Sequence, residues 1–299
     1  MRVSDKVLYN TVTNNLQQNL EKMLELQESG SSGKRINRPS DDPIGVMKVI
    51  DYTTAISKAD QYQRNIDNGI SSLDATESAI ATTQDILVRA KELSISALNG
   101  TSSASDRGIV AKEVQQLYQQ VLQIANTQSN GRYIFAGYNI GTGTPAYDSS
   151  GAYTGTAYPG GSIAVEIDSG ATVEINMTGD RVFGSSTYGV DILGTLNNLE
   201  SALENNNLQG INTATSNLES AMEQINNARA EVGARINRLE TAKSYLSKLK
   251  IDLTGYKSET EDADIARIIT DLAMQQNILE VSRASAAKVL GQSLLDFLR

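Results

Sequence analysis

The apolar positions of the chain fall into heptads over much of its length. Ile211, Leu218, Ile225, Val232, Leu239, Leu246 and Leu253 recur every seven residues. Three positions after each come Ala214, Ala221, Ala228, Arg235, Ala242, Leu249 and Tyr256. The two sets read as the a and d lines of a coiled-coil seam, interrupted once by a charge at Arg235. As a single helix, residues 211–256 would span roughly 70 Å, and so long an apolar seam needs a partner to cover it. Residues 45–98 offer one, with Tyr52, Ala59, Ile66, Leu73, Ile80 and Leu87 again at sevens. Residues 105–128 offer a third, in which Val110, Leu117 and Ile124 alternate with Val114 and Val121. Three long helices of matching period predict a rod-like helical bundle, and the fold class is mainly α.

The two ends carry single stripes instead. Leu8, Val12, Leu16, Leu20 and Leu24 recur every four residues as far as Gly30, which the pattern predicts as the end of the first helix. Ile265, Ile269, Leu272, Leu279, Ala286, Leu290, Leu294 and Phe297 form a second strip, with Ser258-Glu259-Thr260-Glu261 predicted as the capping box that opens it. An isolated amphipathic helix is marginal in water. The N- and C-terminal helices are therefore expected to pair with each other and to bury their remaining apolar surface between subunits.

Residues 131–190 lose helical periodicity and hold twelve of the 23 glycines and six of the 12 tyrosines. "SIAVEI" (162–167) and "TVEINM" (172–177) alternate like half-buried strands around a turn at Gly170. "NGRYIFAGY" (130–138) opens on Asn-Gly, the commonest hairpin-turn pair, before an alternating Tyr133, Phe135 face. A small β-rich insertion thus interrupts the helices. The resulting division places terminal helices at 1–42 and 258–299. The helical rod occupies 43–141 and 190–257 with a hairpin near 130–138, and the β-rich outer domain occupies 142–189.

Between the first strip and the first long helix lies "GKRINRPSDDPIGV" (33–46). Pro39 and Pro43 fix their own φ and push Arg38 and Asp42 toward extended backbone, so this is a stiff elbow rather than a slack linker. Asp42 followed by Pro43 is an N-cap acceptor before a proline at the first helical position, with Asp41 favourable at the positive helix end. Lys34, Arg35 and Arg38 set cations beside these acids. Planar guanidinium forks suit fixed pairing with carboxylates at a subunit boundary.

Composition narrows the chemistry. The 299 residues include no Cys, His or Trp, which removes thiol nucleophiles, imidazole bases, disulfides and the usual zinc and haem ligands. A formal net charge of −9 argues against nucleic acid or an anionic membrane as partner. No stretch approaches the about 18 apolar residues of a membrane span, and the N-terminus lacks the pattern of a cleaved signal peptide. "EDAD" (261–264) lacks the glycine and distal glutamate of a calcium loop and reads as acids in the first turn of a helix. "GTGT" (141–144) lacks the Gly-Lys-Ser/Thr of a phosphate loop. No catalytic, cofactor or metal site is nominated, and an enzyme is not expected.

The pattern S-G-x-R-I-N-x-x-x-D-D at 32–42, the long helices on either side of a variable middle and the Leu-rich C-terminal helix resemble the flagellin superfamily. Within it the chain is most similar to the type 3 hook-associated branch, the subunits at the junction between hook and filament. The paired prolines of the elbow and "NGRYIFAGY" are similar to that branch, while the ends MRVS and SLLDFLR depart from those of filament flagellins. "ARAEVGARINRLE" (228–240) fits both. The resemblance covers residues 1–140 and 180–299. It implies terminal helices forming an inner coiled coil in a tube, a helical rod outside it, and a β domain facing solvent. The interface residues expected are Arg35, Asn37, Arg38, Asp41 and Asp42 of the elbow, with Leu8, Leu16, Leu272, Leu279, Leu290 and Leu294 of the strips. The implied partners are the type 1 hook-associated protein, flagellin, further copies of the chain in a ring, and an export chaperone on the C-terminal helix. The implied location is the extracellular flagellum, reached by type III export without a cleaved signal. A minor flagellin is the nearest alternative, and an adhesin or binding module built on the β insertion a more distant one.

Overall fold

The computed structural model of the chain describes residues 2–129, 131–138, 145–158, 160–184 and 188–297, with side chains described except at 2–5, 8 and 289–297. It divides into two compact units, Met1–Lys58 with Leu249–Arg299, and Ala59–Lys248. The GTGT segment and Asn130 lie outside the described residues.

The second unit is built on the predicted heptads. Helices α2 (Pro43–Leu98) and α6 (Leu208–Glu261), which supply residues to both units, run antiparallel here. Their alignment is read from Asp67–Lys243 (2.7 Å), Glu77–Arg229 (2.7 Å) and Lys91–Glu219 (2.9 Å) at the rim. Gln63 donates to Ser247 in the same register (2.9 Å). Ile66, Leu73, Ile80 and Leu87 of α2 and Ile211 through Leu246 of the α6 seam are buried, as the sevenfold spacing requires. Helix α3 (Ala104–Ala125) starts at a reciprocal capping box between Ser103 and Asp106 and meets α2 at Arg89–Glu113 (2.7 Å).

Its main partner was not anticipated. Helix α5 (Ile192–Glu204) packs along α3, begins on an Asp191 N-cap, and buries Ile192, Leu193, Leu196, Leu199 and Leu203. Position Arg235 is likewise explained. Instead of facing the seam, its guanidinium donates to the Asn176 carbonyl (2.8 Å) and pairs with Glu174 (2.5 Å) and Glu231 (2.7 Å).

That network ties α6 to the β insertion, which belongs to the same compact unit. Strands β1 (Gln128–Ser129) and β2 (Arg132–Tyr133) form the expected hairpin, with Gly131 at φ +75° in its turn. Strands β3 (Ala164–Asp168) and β4 (Ala171–Glu174) form the second, turning through Gly170 at φ +79°. The insertion has its own small core. Phe135 stacks edge-on against Phe183 at 5.0 Å, with Tyr147 edge-on to Phe183 at 5.7 Å, beside the one-turn helix α4 (Gly179–Val182). It docks on α2 at Gly69, where a Cβ would stand 2.7 Å from Ile175 Cγ2.

In the first unit, helices α1 (Arg2–Ser32) and α7 (Ile265–Phe297) pair antiparallel, so the two ends of the chain do cover one another. The buried faces differ from the predicted stripes. On α1 the half-buried line is Val12, Leu16, Asn19, Met23 and Leu26, and Leu20 and Leu24 are exposed. Steps of four advance about 40° around a helix each time, so a strict fourfold stripe drifts off any one face; alternating steps of four and three stay on it. On α7 the line is Ile268, Leu272, Gln275, Leu279, Ser282 and Ala286, and Ile265 and Ile269 face outward. A polar layer sits mid-seam, where the Gln275 amide donates to the Asn19 carbonyl (3.1 Å) and the Asn19 amide to Ser282 (3.2 Å).

Two predicted boundaries move. Helix α1 does not end at Gly30, which instead lets α7 approach, its absent Cβ standing 3.2 Å from Ile268 Cγ2; Gly33, at φ +70°, follows the helix end. Residues 258–261 do not open α7 but form the last turn of α6. The N-cap of α7 is Asp264, which accepts from the Arg267 N–H (3.1 Å).

Candidate assembly surface

The elbow lies against the connector between α6 and α7. Lys34 and Asp262 form an antiparallel bridge, the Arg35 N–H donates to the Glu261 carbonyl (2.7 Å), and the Ala263 N–H donates to the Gly33 carbonyl (3.0 Å). Side chains reinforce this clasp. The Lys34 ammonium pairs with the Glu261 carboxylate, and Arg35 donates to the Thr260 carbonyl (2.8 Å) and reaches Asp42 Oδ2 at 3.4 Å. Beneath it Ile36 is buried, and Gly45 gives it room, since a Cβ there would stand 2.6 Å from Ile36 Cδ1.

Asp42 acts as predicted at the helix entry, whereas Asp41 turns back onto the elbow instead of facing the start of α2. Asp42 Oδ1 accepts from the Gly45 N–H (2.9 Å), an N-cap bond for α2. Asp41 Oδ2 accepts from the N–H groups of Arg38 (2.8 Å) and Asn37 (3.0 Å), closing the turn. These bonds favour the ionised carboxylates. Asp41 is held below the usual range chiefly by the Arg38 N–H, and Asp42 chiefly by the Gly45 N–H with help from the Arg35 guanidinium. Lys34 is raised, first by its hydrogen bond to Glu261 and then by that carboxylate's charge.

The polar elbow residues thus have partners inside the chain, Arg38 pairing with Glu28 (2.9 Å) and Asn37 donating to the Lys34 carbonyl (3.0 Å). The side chains of Arg35 and Arg38 nonetheless remain 54% and 67% exposed. Of the predicted leucines, Leu279 is buried and Leu16 and Leu272 are half-buried, all three in the seam between α1 and α7. The side chains of Leu8, Leu290 and Leu294 lie outside the described residues.

What remains uncovered is a different set. Met274, Ile278 and Val281 stand exposed on α7 at i, i+4, i+7, a stripe about 100° around the helix from the seam. Exposed Ile44, Met47 and Ile50 open α2, and exposed Ile251 and Tyr256 lie on α6 in the same unit. Exposed apolar side chains at helical spacing are the kind of surface a partner can cover. The periodic stripe on α7 was legible in the sequence, but only after the seam position had been assigned correctly. Among the described residues no helix is long and apolar enough to cross a membrane.

A helical bundle carrying a β insertion, with the two ends of the chain paired and further apolar stripes left open, defines a flagellin-type subunit. The match is direct: residues 3–140 fit the bacterial flagellin N-terminal helical region and residues 215–298 the bacterial flagellin C-terminal helical region, so the chain belongs to the flagellin family. It is 28% identical to the flagellar hook-associated protein 3 of Escherichia coli over 98% of both chains, and 28% identical to that of Salmonella typhimurium over 100% of both. It is 32% identical to the flagellar filament 30.7 kDa core protein of Treponema maltophilum, covering 93% of this chain and 90% of that one. In fold it is similar to a putative flagellar hook-associated protein from Vibrio parahaemolyticus, with a TM-score of 0.66 and 23% identity, covering 74% of this chain and 100% of that one.

Proposed function

We propose that the chain is a structural subunit of the bacterial flagellum that adapts the hook to the filament. The observation that carries this reading is the end-to-end match to two hook-associated proteins of type 3, in which neither chain has a large unmatched part. The open apolar stripes of the terminal unit fit the same role, because they have a use only when other subunits cover them. On this reading the terminal helices, 1–42 and 258–299, form the inner layer of a tube. The bundle of 43–141 and 190–257 is the subunit's helical rod, and the β-rich segment 142–189 faces solvent. The neighbours are the type 1 hook-associated protein on one side, flagellin on the other, and further copies of the chain in a ring. An export chaperone holds the C-terminal helix before assembly, and the subunit works outside the cell after type III export. The role is mechanical, not catalytic.

A second reading, a filament subunit, is favoured by the 32% identity to a filament core protein. A strain lacking the gene separates the two. The junction reading expects basal body and hook to form while flagellin is shed unpolymerised into the medium. Full-length filaments in that strain would overturn it in favour of the filament reading.

A further inference from the structure

Within the second unit, a half-open groove of about 460 Å³ lies between α2, the β1–β2 hairpin and the β3–β4 hairpin. Its walls include Asn68 and Ser71 of α2, Ser129 and Arg132 of the first hairpin, and Ile175 beyond β4. The volume is within the range of about 300–1,000 Å³ typical of ligand pockets, so it admits a side chain or a short turn of chain, not a whole helix. Arg132, the cation among the groove's described lining residues, is exposed. Arg89, Arg181, Arg229 and Arg235 of this unit each pair with a glutamate, whereas the side chain of Arg132 makes no hydrogen bond or ion pair among the described residues. Ile163 and Ile175 add apolar area to a lining otherwise rich in serine and asparagine.

The chain carries 35 acidic against 26 basic residues, so another copy brings an excess of carboxylates to any basic recess. We propose that this groove is a socket between copies of the chain, in which Arg132 grips an acidic side chain of a neighbouring subunit. The inference rests on the reading that copies assemble. A guanidinium fork suits a carboxylate held bidentately, and the serine and asparagine groups of the lining can satisfy the backbone that carries it. The interaction adds assembly strength without adding monomer stability, because no side chain among the described residues pairs with the Arg132 guanidinium.

Two variants and a photocrosslink test it. Arg132→Glu should leave the melting of the purified full-length chain unchanged, yet reduce filament retention under shear at least about tenfold, the factor equivalent to about 1.4 kcal/mol. Arg132→Lys, which keeps the charge but not the fork, should retain an intermediate fraction. A photoreactive phenylalanine derivative at Ser71 should crosslink to a second copy in isolated flagella, with the adduct mapping beside an acidic residue. Wild-type retention by Arg132→Glu overturns the proposal, and so does a crosslink that captures a different protein or no protein. If the deletion strain itself grows normal filaments, the assembly reading has failed; if it does not and Arg132→Glu behaves as wild type, the socket alone has failed.

Discussion

Removing the side chain of Leu239 tests the bundle at its centre. Leu239 is fully buried on the α6 seam, and its Cδ1 would stand 3.3 Å from a Cβ placed on Gly69 of α2. Leu239→Ala deletes three carbons, and at about 0.8 kcal/mol per buried methylene the transfer loss is about 2.4 kcal/mol. The cavity left between two long, rigid helices adds to this, so a total of about 3–4 kcal/mol is expected, inside the range of about 2–5 kcal/mol seen for such truncations. For a unit of this size the thermal midpoint should fall by about 6–16 °C. Ser244→Ala is the control, because Ser244 is exposed on the same helix and its loss should cost no more than about 0.5 kcal/mol. Urea and thermal melts of the full chain, followed by circular dichroism, read both. Equal midpoint shifts for the two variants would refute the seam register and the pairing of α2 with α6 built on it.

Gly69→Ala should destabilise the chain although alanine favours helix by up to about 1 kcal/mol, because its Cβ would meet Ile175 Cγ2 at 2.7 Å. Hydrogen exchange should show the β3–β4 hairpin opening faster, and a more stable variant would mean the hairpin does not dock there. Arg35→Ala removes an exposed pair with Asp42 and one bond to the Thr260 carbonyl while the Arg35 N–H bond to Glu261 stays. Monomer stability should drop by no more than about 1 kcal/mol, with shear resistance of filaments falling more, and a monomer loss of several kcal/mol would make the elbow chiefly an internal clamp. The elbow should also be acid-sensitive. Asp41 and Asp42 titrate lower in the folded chain than their ordinary value of 3.8, so their contribution is complete above that value and is lost as pH falls through the lower folded values. Proteolysis at the elbow should therefore rise steeply below about pH 4 in the wild type and less in Asp41→Asn, whose turn is already weakened; identical profiles would count against the turn bonds.

The parts of the fold that were legible in advance are those in which one residue type repeats against one partner. Ile and Leu every seven residues on α2 and α6 could bury themselves in only one way, and the Asn-Gly and Gly170 turns announced their hairpins. Helix α5 fell within residues 190–257, assigned to the helical rod, but was not singled out because it precedes the heptad series that begins at Ile211, although Asp191 before Ile192, Leu196 and Leu199 is a capped amphipathic start. The terminal stripes were visible, but the N-terminal one was assigned by a fourfold count that drifts around the helix and put Leu20 and Leu24 inside when they face out, and the C-terminal one began on Ile265 and Ile269, off the line of Ile268 that faces the seam. The elbow's local chemistry was readable from Asp42-Pro43 alone. Its clasp was not, because Arg35 meets Thr260 and Glu261 across more than two hundred residues, and no local pattern encodes that meeting.

The most direct test of the junction role is to see where the protein sits. Isolated flagella labelled with gold-coupled antibody against the exposed residues of the β3–β4 hairpin should carry gold in one narrow band where the curved hook meets the filament. Gold distributed along the filament, or absent from the boundary, would contradict the account.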